Sequence, residues 1–169
     1  LVQPLFLTGR GDGGSRVFIV ERAGRILIGS PDTGAIAPTP FLDLRGAIST
    51  VGEGGLLGFA LAPDFRTSGV FYVHVTNLAG DSEIRRYTVS SANPDVAEPT
   101  SQNTILYVAQ PASNHNGGWI GFSNRENSLY IALGDGGGSN DPFGNGQNVN
   151  TLLGSILRID PGSDDFPSD

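Results

Sequence analysis

An all-β fold, and within that class a β-propeller, is what this sequence predicts, from three observations. Its apolar runs are short, rich in Val, Ile, Phe and Tyr, and closed on both sides by Gly, Pro, Asn, Asp or Ser. The 25 Gly and 11 Pro are scattered along the 169 residues, which suits strands and tight turns better than long helices. The chain also repeats itself. "GGLLGFALAPDF" (54–65) aligns with "GGWIGFSNRENS" (117–128), each followed by a strand-like run, "VFYVHV" or "LYIALG".

Taken in order, the strand candidates are 16–21, 25–29, 56–61, 70–76, 83–89, 104–109, 119–123, 129–133 and 156–160. A helical turn is expected only in "NTLLGSI" (150–156), with Asn150 or Thr151 as its cap. A fainter third copy of the repeat lies at 4–21, and aligning Phe18, Tyr72 and Tyr130 gives steps of 54 and 58. Repeats of that length holding about four strands each are the signature of propeller blades. The expected divisions are 4–53, 54–116 and 117–169, within a single partial propeller. A β-sandwich with similar hairpins is the competing architecture. Propellers close with about four to eight blades. About three blades therefore read as half a ring, a fragment or processed product whose second half, or another chain, completes it. The lack of any Met agrees with a missing start.

The formal charge of −7 argues against a nucleic-acid partner and against docking on an anionic membrane, since both need a basic face. All ten basic residues are Arg. Without Cys there is neither a disulfide framework nor thiolate chemistry. No apolar run reaches the length of a membrane span, and no signal-peptide core is visible.

One of the two histidines lies in "NHNGG" (114–118). Pairing Ser123 with Ser128 around a tip at 124–127 places residue 115 opposite residue 136, beside Asp135. The repeat places Glu53 at the same end, so Glu53, His115 and Asp135 share one rim of the propeller. An imidazole beside a carboxylate is the arrangement of a general base, whose tautomer the carboxylate fixes. A structural His–Asp hydrogen bond closing a turn fits the spacing equally well.

"GEGGLLGFALAPDF", "NHNGG", "LYIALGDGGG" and "QNVNTLLGSILRID", in that order, resemble the soluble PQQ-dependent sugar dehydrogenases, the glucose/sorbosone or aldose sugar dehydrogenases. The resemblance runs from about Pro4 to Asp160. It implies a six-bladed β-propeller, with pyrroloquinoline quinone (PQQ) and Ca²⁺ as cofactors. It also implies oxidation of an aldose sugar to its lactone, an external electron acceptor, and a periplasmic or secreted location. His115 carries over as the base that takes the anomeric hydroxyl proton, and Asp135 as the carboxylate that orients it. Glu53 and Asn140 fall at cofactor-side contacts; no residue here carries over as a metal ligand. The family's cationic grip on the quinone carboxylates and its Ca²⁺-binding carbonyls belong to the second half, which this chain lacks. A tri-anionic cofactor needs several fixed cations.

Two other functions compete. One is a non-catalytic extracellular propeller that binds a protein or glycan partner, since fold does not dictate function. The other is a Ca²⁺-stabilised structural domain.

The remaining motifs read as structure. The Asp- and Asn-rich loop at 134–148 offers oxygen ligands for Ca²⁺, but without EF-hand spacing a turn-rich loop is expected. "RGD" (10–12) reads as a hairpin turn, and His74 as a half-buried strand residue. Arg85 and Arg86 alternate across a strand, so at most one faces a neighbouring blade, with solvated surface as the default; Trp119 is expected to pack in the core.

Overall fold

The computed structural model of the chain describes residues 1–11, 13–123 and 125–162. Asp12 of the RGD stretch, residue 124 at the expected hairpin tip and the last residues of the third expected division lie outside them.

Three antiparallel sheets follow one another along the chain. The first is β1 (Pro4–Gly9), β2 (Val17–Glu21), β3 (Arg25–Gly29) and β4 (Leu42–Asp43), side by side in that order. The second is β5 (Leu56–Leu61), β6 (Val70–Thr76), β7 (Ser82–Val89) and β8 (Ala97–Val108), again in chain order. The third holds β9 (Ile120–Phe122), β10 (Leu129–Ala132) and β11 (Ile156–Ile159), with β10 in the middle. The fold is a β-propeller with sheets packed face to face.

The middle sheet explains the packing. Every residue of β6 is buried, because its odd and even positions face different neighbours. Phe71, Val73 and Val75 join Phe18, Phe41 and Phe59 in a core against the first sheet. Val70 and Tyr72 join Ile120, Leu129 and Ile131 in a core against the third. Aromatic pairs fill the first core, with ring centroids 4.6 Å apart for Phe18 and Phe41 and 5.0 Å for Phe41 and Phe71.

The sheets approach most closely at β5 and β9. A Cβ on Gly58 would stand 2.1 Å from the Gly118 carbonyl oxygen and 3.2 Å from the His74 Cβ. The glycine in "GGLLGF" is thus where the third sheet's backbone meets the second.

Several expectations need correcting. Residues 150–155 form turns and bends before β11 begins at Ile156, because Asn148 Oδ1 accepts the Asn150 N–H at 3.0 Å and Thr151 Oγ1 accepts the Leu153 N–H at 3.2 Å. Such local side-chain bonds compete with a helix. The helix among the described residues is instead α1 (Phe65–Ser68), ended by Gly69 in left-handed backbone. Trp119 is 54% exposed rather than core; its ring lies across Gly121. Arg85 is 7% exposed rather than solvated, its Nε bonded to Glu83 Oε2 at 2.7 Å. His74 is fully buried, not half-buried. Arg10 is also buried, paired with Asp95. Among the described residues no helix is long and apolar enough to cross a membrane.

Candidate functional site

The loop before β5, the loop before β9 and the loop after β10 leave their strands at the same end of the sheets. They carry Glu53, His115 and Asp135 respectively. The hairpin register is the one expected: Leu129 faces Phe122, Tyr130 faces Gly121 and Ile131 faces Ile120. Above it the chain departs from the extension of that register. Gly117 and Gly118 take φ of 78° and 137°, and the His115 carbonyl comes against Gly134 instead of residue 136.

His115 itself adopts φ 55°. Left-handed backbone is uncommon for a residue with a Cβ, costs on the order of 1–3 kcal/mol, and persists only where its surroundings impose it. Here they do. The His115 N–H donates to Glu53 Oε2 at 2.7 Å, and the Glu53 N–H donates to the Ser113 carbonyl at 2.8 Å. The two loops therefore hold each other by a reciprocal pair of bonds.

The turn places the His115 ring on Asp135, with Nδ1 to Oδ1 at 2.8 Å. The same oxygen accepts the Gly137 N–H at 3.0 Å. The Gly137 N–H first, and the imidazole second, hold the Asp135 carboxyl below its ordinary value of 3.8. An ionised acceptor at Nδ1 requires the proton on that nitrogen, leaving the lone pair on Nε2. The His115 side chain is 43% exposed.

Further side chains brace the same loops. Asn114 Oδ1 accepts the Gly138 N–H at 3.3 Å, and Asn145 Nδ2 donates to the Asp135 carbonyl at 3.0 Å. Both asparagines lie in stretches the sequence marks, "NHNGG" and the 134–148 loop, but only their pairing in space shows that they brace the site. Asn140, the fourth expected site residue, stands exposed at φ 63° in the 134–148 loop, and no side-chain hydrogen bond ties it to the other three. Asn116 is buried, and neither of its amide atoms has a partner among the described residues.

The rim fits one part of a quinone site and not another. An imidazole with one nitrogen held and the other free suits a proton acceptor. The nearby Arg22 guanidinium is engaged by the Thr50 and Gly52 carbonyls rather than open to a cofactor carboxylate. Both Asp141 carboxylate oxygens accept backbone N–H groups, of Asn145 at 2.8 Å and Gly146 at 2.9 Å. No three His, Cys, Asp or Glu gather as a metal site among the described residues.

Fold and rim together define a class, a β-propeller carrying an imidazole–carboxylate pair where its loops converge. Residues 1–169 match the glucose/sorbosone dehydrogenase family, and the chain belongs to it. It is similar to aldose sugar dehydrogenase of Streptomyces coelicolor in its PQQ-bound form, with a TM-score of 0.79 and 28% identity over 99% of this chain and 48% of that one. Human Hedgehog-interacting protein is 33% identical over 97% of this chain and 25% of its own length. Quinoprotein glucose dehydrogenase B of Acinetobacter calcoaceticus is 26% identical over 86% of this chain and 34% of its own. The chain thus spans a quarter to a third of these two relatives and about half of the solved structure.

Proposed function

We propose that this chain carries the base side of the catalytic centre of a PQQ-dependent aldose dehydrogenase, which oxidises an aldose to its lactone. The observation that supports this most directly is the His115–Asp135 pair, held at 2.8 Å with the ring open to solvent. His115 Nε2 takes the proton of the anomeric hydroxyl as the C1–H bond breaks. Asp135 keeps Nδ1 protonated before the transfer and stabilises the imidazolium after it. PQQ, when bound, supplies the two-electron acceptor for the C1 hydride, and an external electron acceptor restores it. Glu53 Oε2 holds the His115 backbone, which leaves Oε1 for the cofactor side. Asn140 is a candidate contact at the far edge of the loop.

The three sheets are read as blades over 4–53, 54–116 and 117–169. A second half of the propeller, from the same protein or another chain, completes the ring and brings the cationic grip and Ca²⁺ ligands this rim lacks. A periplasmic or secreted setting suits that reading.

The identity to Hedgehog-interacting protein favours a second reading, a non-catalytic extracellular propeller that binds a protein or glycan partner. Dye reduction with a panel of aldoses separates the two, using the chain with the segment completing its ring, PQQ and Ca²⁺. Turnover that collapses in His115→Ala supports the dehydrogenase and the base together. Turnover that survives the substitution overturns the role of His115, and none in either protein favours the binding propeller.

A further inference from the structure

We infer that Arg22 is a positioning residue for His115, acting across two sheet boundaries through a single peptide unit. The inference takes its purpose from the dehydrogenase reading, but the contacts stand without it.

Arg22 follows the last residue of β2, in the first sheet. Its backbone is fixed there: the Arg22 N–H donates to the Gln3 carbonyl at 3.0 Å, and its own carbonyl accepts the Leu56 N–H at 2.9 Å. The side chain then crosses Gly55, where a Cβ would stand 2.5 Å from the Arg22 carbonyl oxygen and 2.7 Å from its Cγ. "GEGG" is glycine at that position because Arg22 occupies the space. Beyond Gly55 the guanidinium donates Nη2 to the Thr50 carbonyl at 2.9 Å and to the Gly52 carbonyl, and Nη1 to Gln3 Oε1 at 3.4 Å.

The Gly52 carbonyl and the Glu53 N–H belong to one planar peptide unit and point in opposite directions. Arg22 grips the oxygen end, and the Ser113 carbonyl accepts from the nitrogen end at 2.8 Å. A plane held at both ends is restrained, which fixes the Glu53 Cα from which the side chain starts. From there Oε2 accepts the His115 N–H at 2.7 Å, which holds His115 at φ 55° and its ring on Asp135. The first sheet, the turn before the second and the loop before the third are thus joined in series. A guanidinium suits the task because the two hydrogens of one planar terminal NH₂ meet two carbonyls at once, and bonds from a charged donor are about twice as strong as neutral ones.

The test is NMR on the ¹⁵N-labelled chain, which has only His74 and His115 to assign. Arg22→Met keeps the aliphatic stem over Gly55 and removes the fork; Arg22→Lys restores a cation. Glu53→Gln sets the size of the effect. The His115 amide proton is expected to move upfield in Glu53→Gln, and in the same direction in Arg22→Met, with loss of the Nδ1-protonated ring signal. Arg22→Lys is expected to recover part of the shift, and the His74 signals to stay in place throughout. Unchanged His115 signals in Arg22→Met would overturn the inference. So would a His74 change as large as that at His115, because the substitution would then loosen the sheets generally. Shifts as expected in a protein without sugar turnover would support the relay and count against the dehydrogenase reading alone.

Discussion

The carbonyl oxygen of His115 stands 1.9 Å from where a Cβ on Gly134 would lie. The loop bearing the candidate base is thus packed onto backbone at the end of β10, with no room for a methyl group. Gly134→Ala must push the "NHNGG" loop away. The expected cost is about 1–3 kcal/mol of stability, as for other insertions into close-packed sites, with loss of the His115–Asp135 bond. Gly9→Ala is the control, since nothing lies within 4 Å of its added Cβ. Thermal unfolding of both variants checks this; an Ala at 134 as harmless as one at 9 would refute it.

Asp135→Asn removes the charge and keeps the shape. The amide can present its NH₂ to Nδ1 and favour the wrong tautomer, so sugar turnover in a completed ring is expected to fall by about 10²–10⁴-fold. Stability carries a second signature. The Gly137 N–H and His115 depress the folded Asp135 pKa below 3.8. Its contribution is therefore full above that value and lost as pH falls through the lower folded one. Denaturant unfolding across that acid range should show the wild-type advantage over Asp135→Asn shrinking as the carboxylate protonates.

What the sequence made legible follows the reach of each signal. Strands β5 and β6 are read to the residue, because both are mainly apolar runs, β5 lying between Gly55 and Pro63 and β6 between Gly69 and Asn77. β1 and the two-residue β4 are missed as strands, since Pro4–Gly9 alternates weakly and Leu42–Asp43 is too short to show a period. The His115–Asp135 contact is legible because the hairpin brings both residues to one end, although the loop leaves the register before it reaches them. The Glu53–His115 bond spans 62 residues between different sheets, and no local pattern encodes its atoms. The same limit hides Arg22, whose shortest hydrogen bonds go to main-chain carbonyls that any residue supplies. Trp119 and Arg85 mislead for the opposite reason. Residue type sets the expectation, and the neighbouring strand decides the burial.

Arg85 tests that last point. Its guanidinium lies under the second sheet's surface with Glu83, whose Oε2 also sits 3.5 Å from Thr104 Oγ1. Truncating one partner of a buried pair leaves the other charge uncompensated, at about 3–5 kcal/mol. Arg85→Ala is expected near the lower end, because Glu83 keeps its bond from Asn77 Nδ2 at 2.8 Å. The double variant Arg85→Met, Glu83→Leu should recover most of the loss. Urea unfolding of both settles it, and a double variant no better than Arg85→Ala would show that packing, not charge, sets the cost.

His74 should act in the fold rather than in the chemistry, and pH separates the two. It lies in β6 with 0% exposure, and neither ring nitrogen finds a hydrogen-bond partner among the described residues. Burial lowers its pKa from 6.5 to about 4, and the nearby Gly118 backbone offsets only part of that. Between these values the unfolded chain binds a proton that the folded chain refuses, so stability rises with pH across the window. A shift of that size corresponds to a few kcal/mol, lost progressively as pH drops from 6.5 to about 4. His74→Leu removes the proton uptake and two unpaired nitrogens together, which is close to neutral or stabilising for a buried group without partners. The variant is expected to match or exceed the wild type at neutral pH and to show a flatter loss on the acid side. An acid limb as steep as the wild type's would mean that other groups govern it and that His74 is not held neutral by the fold.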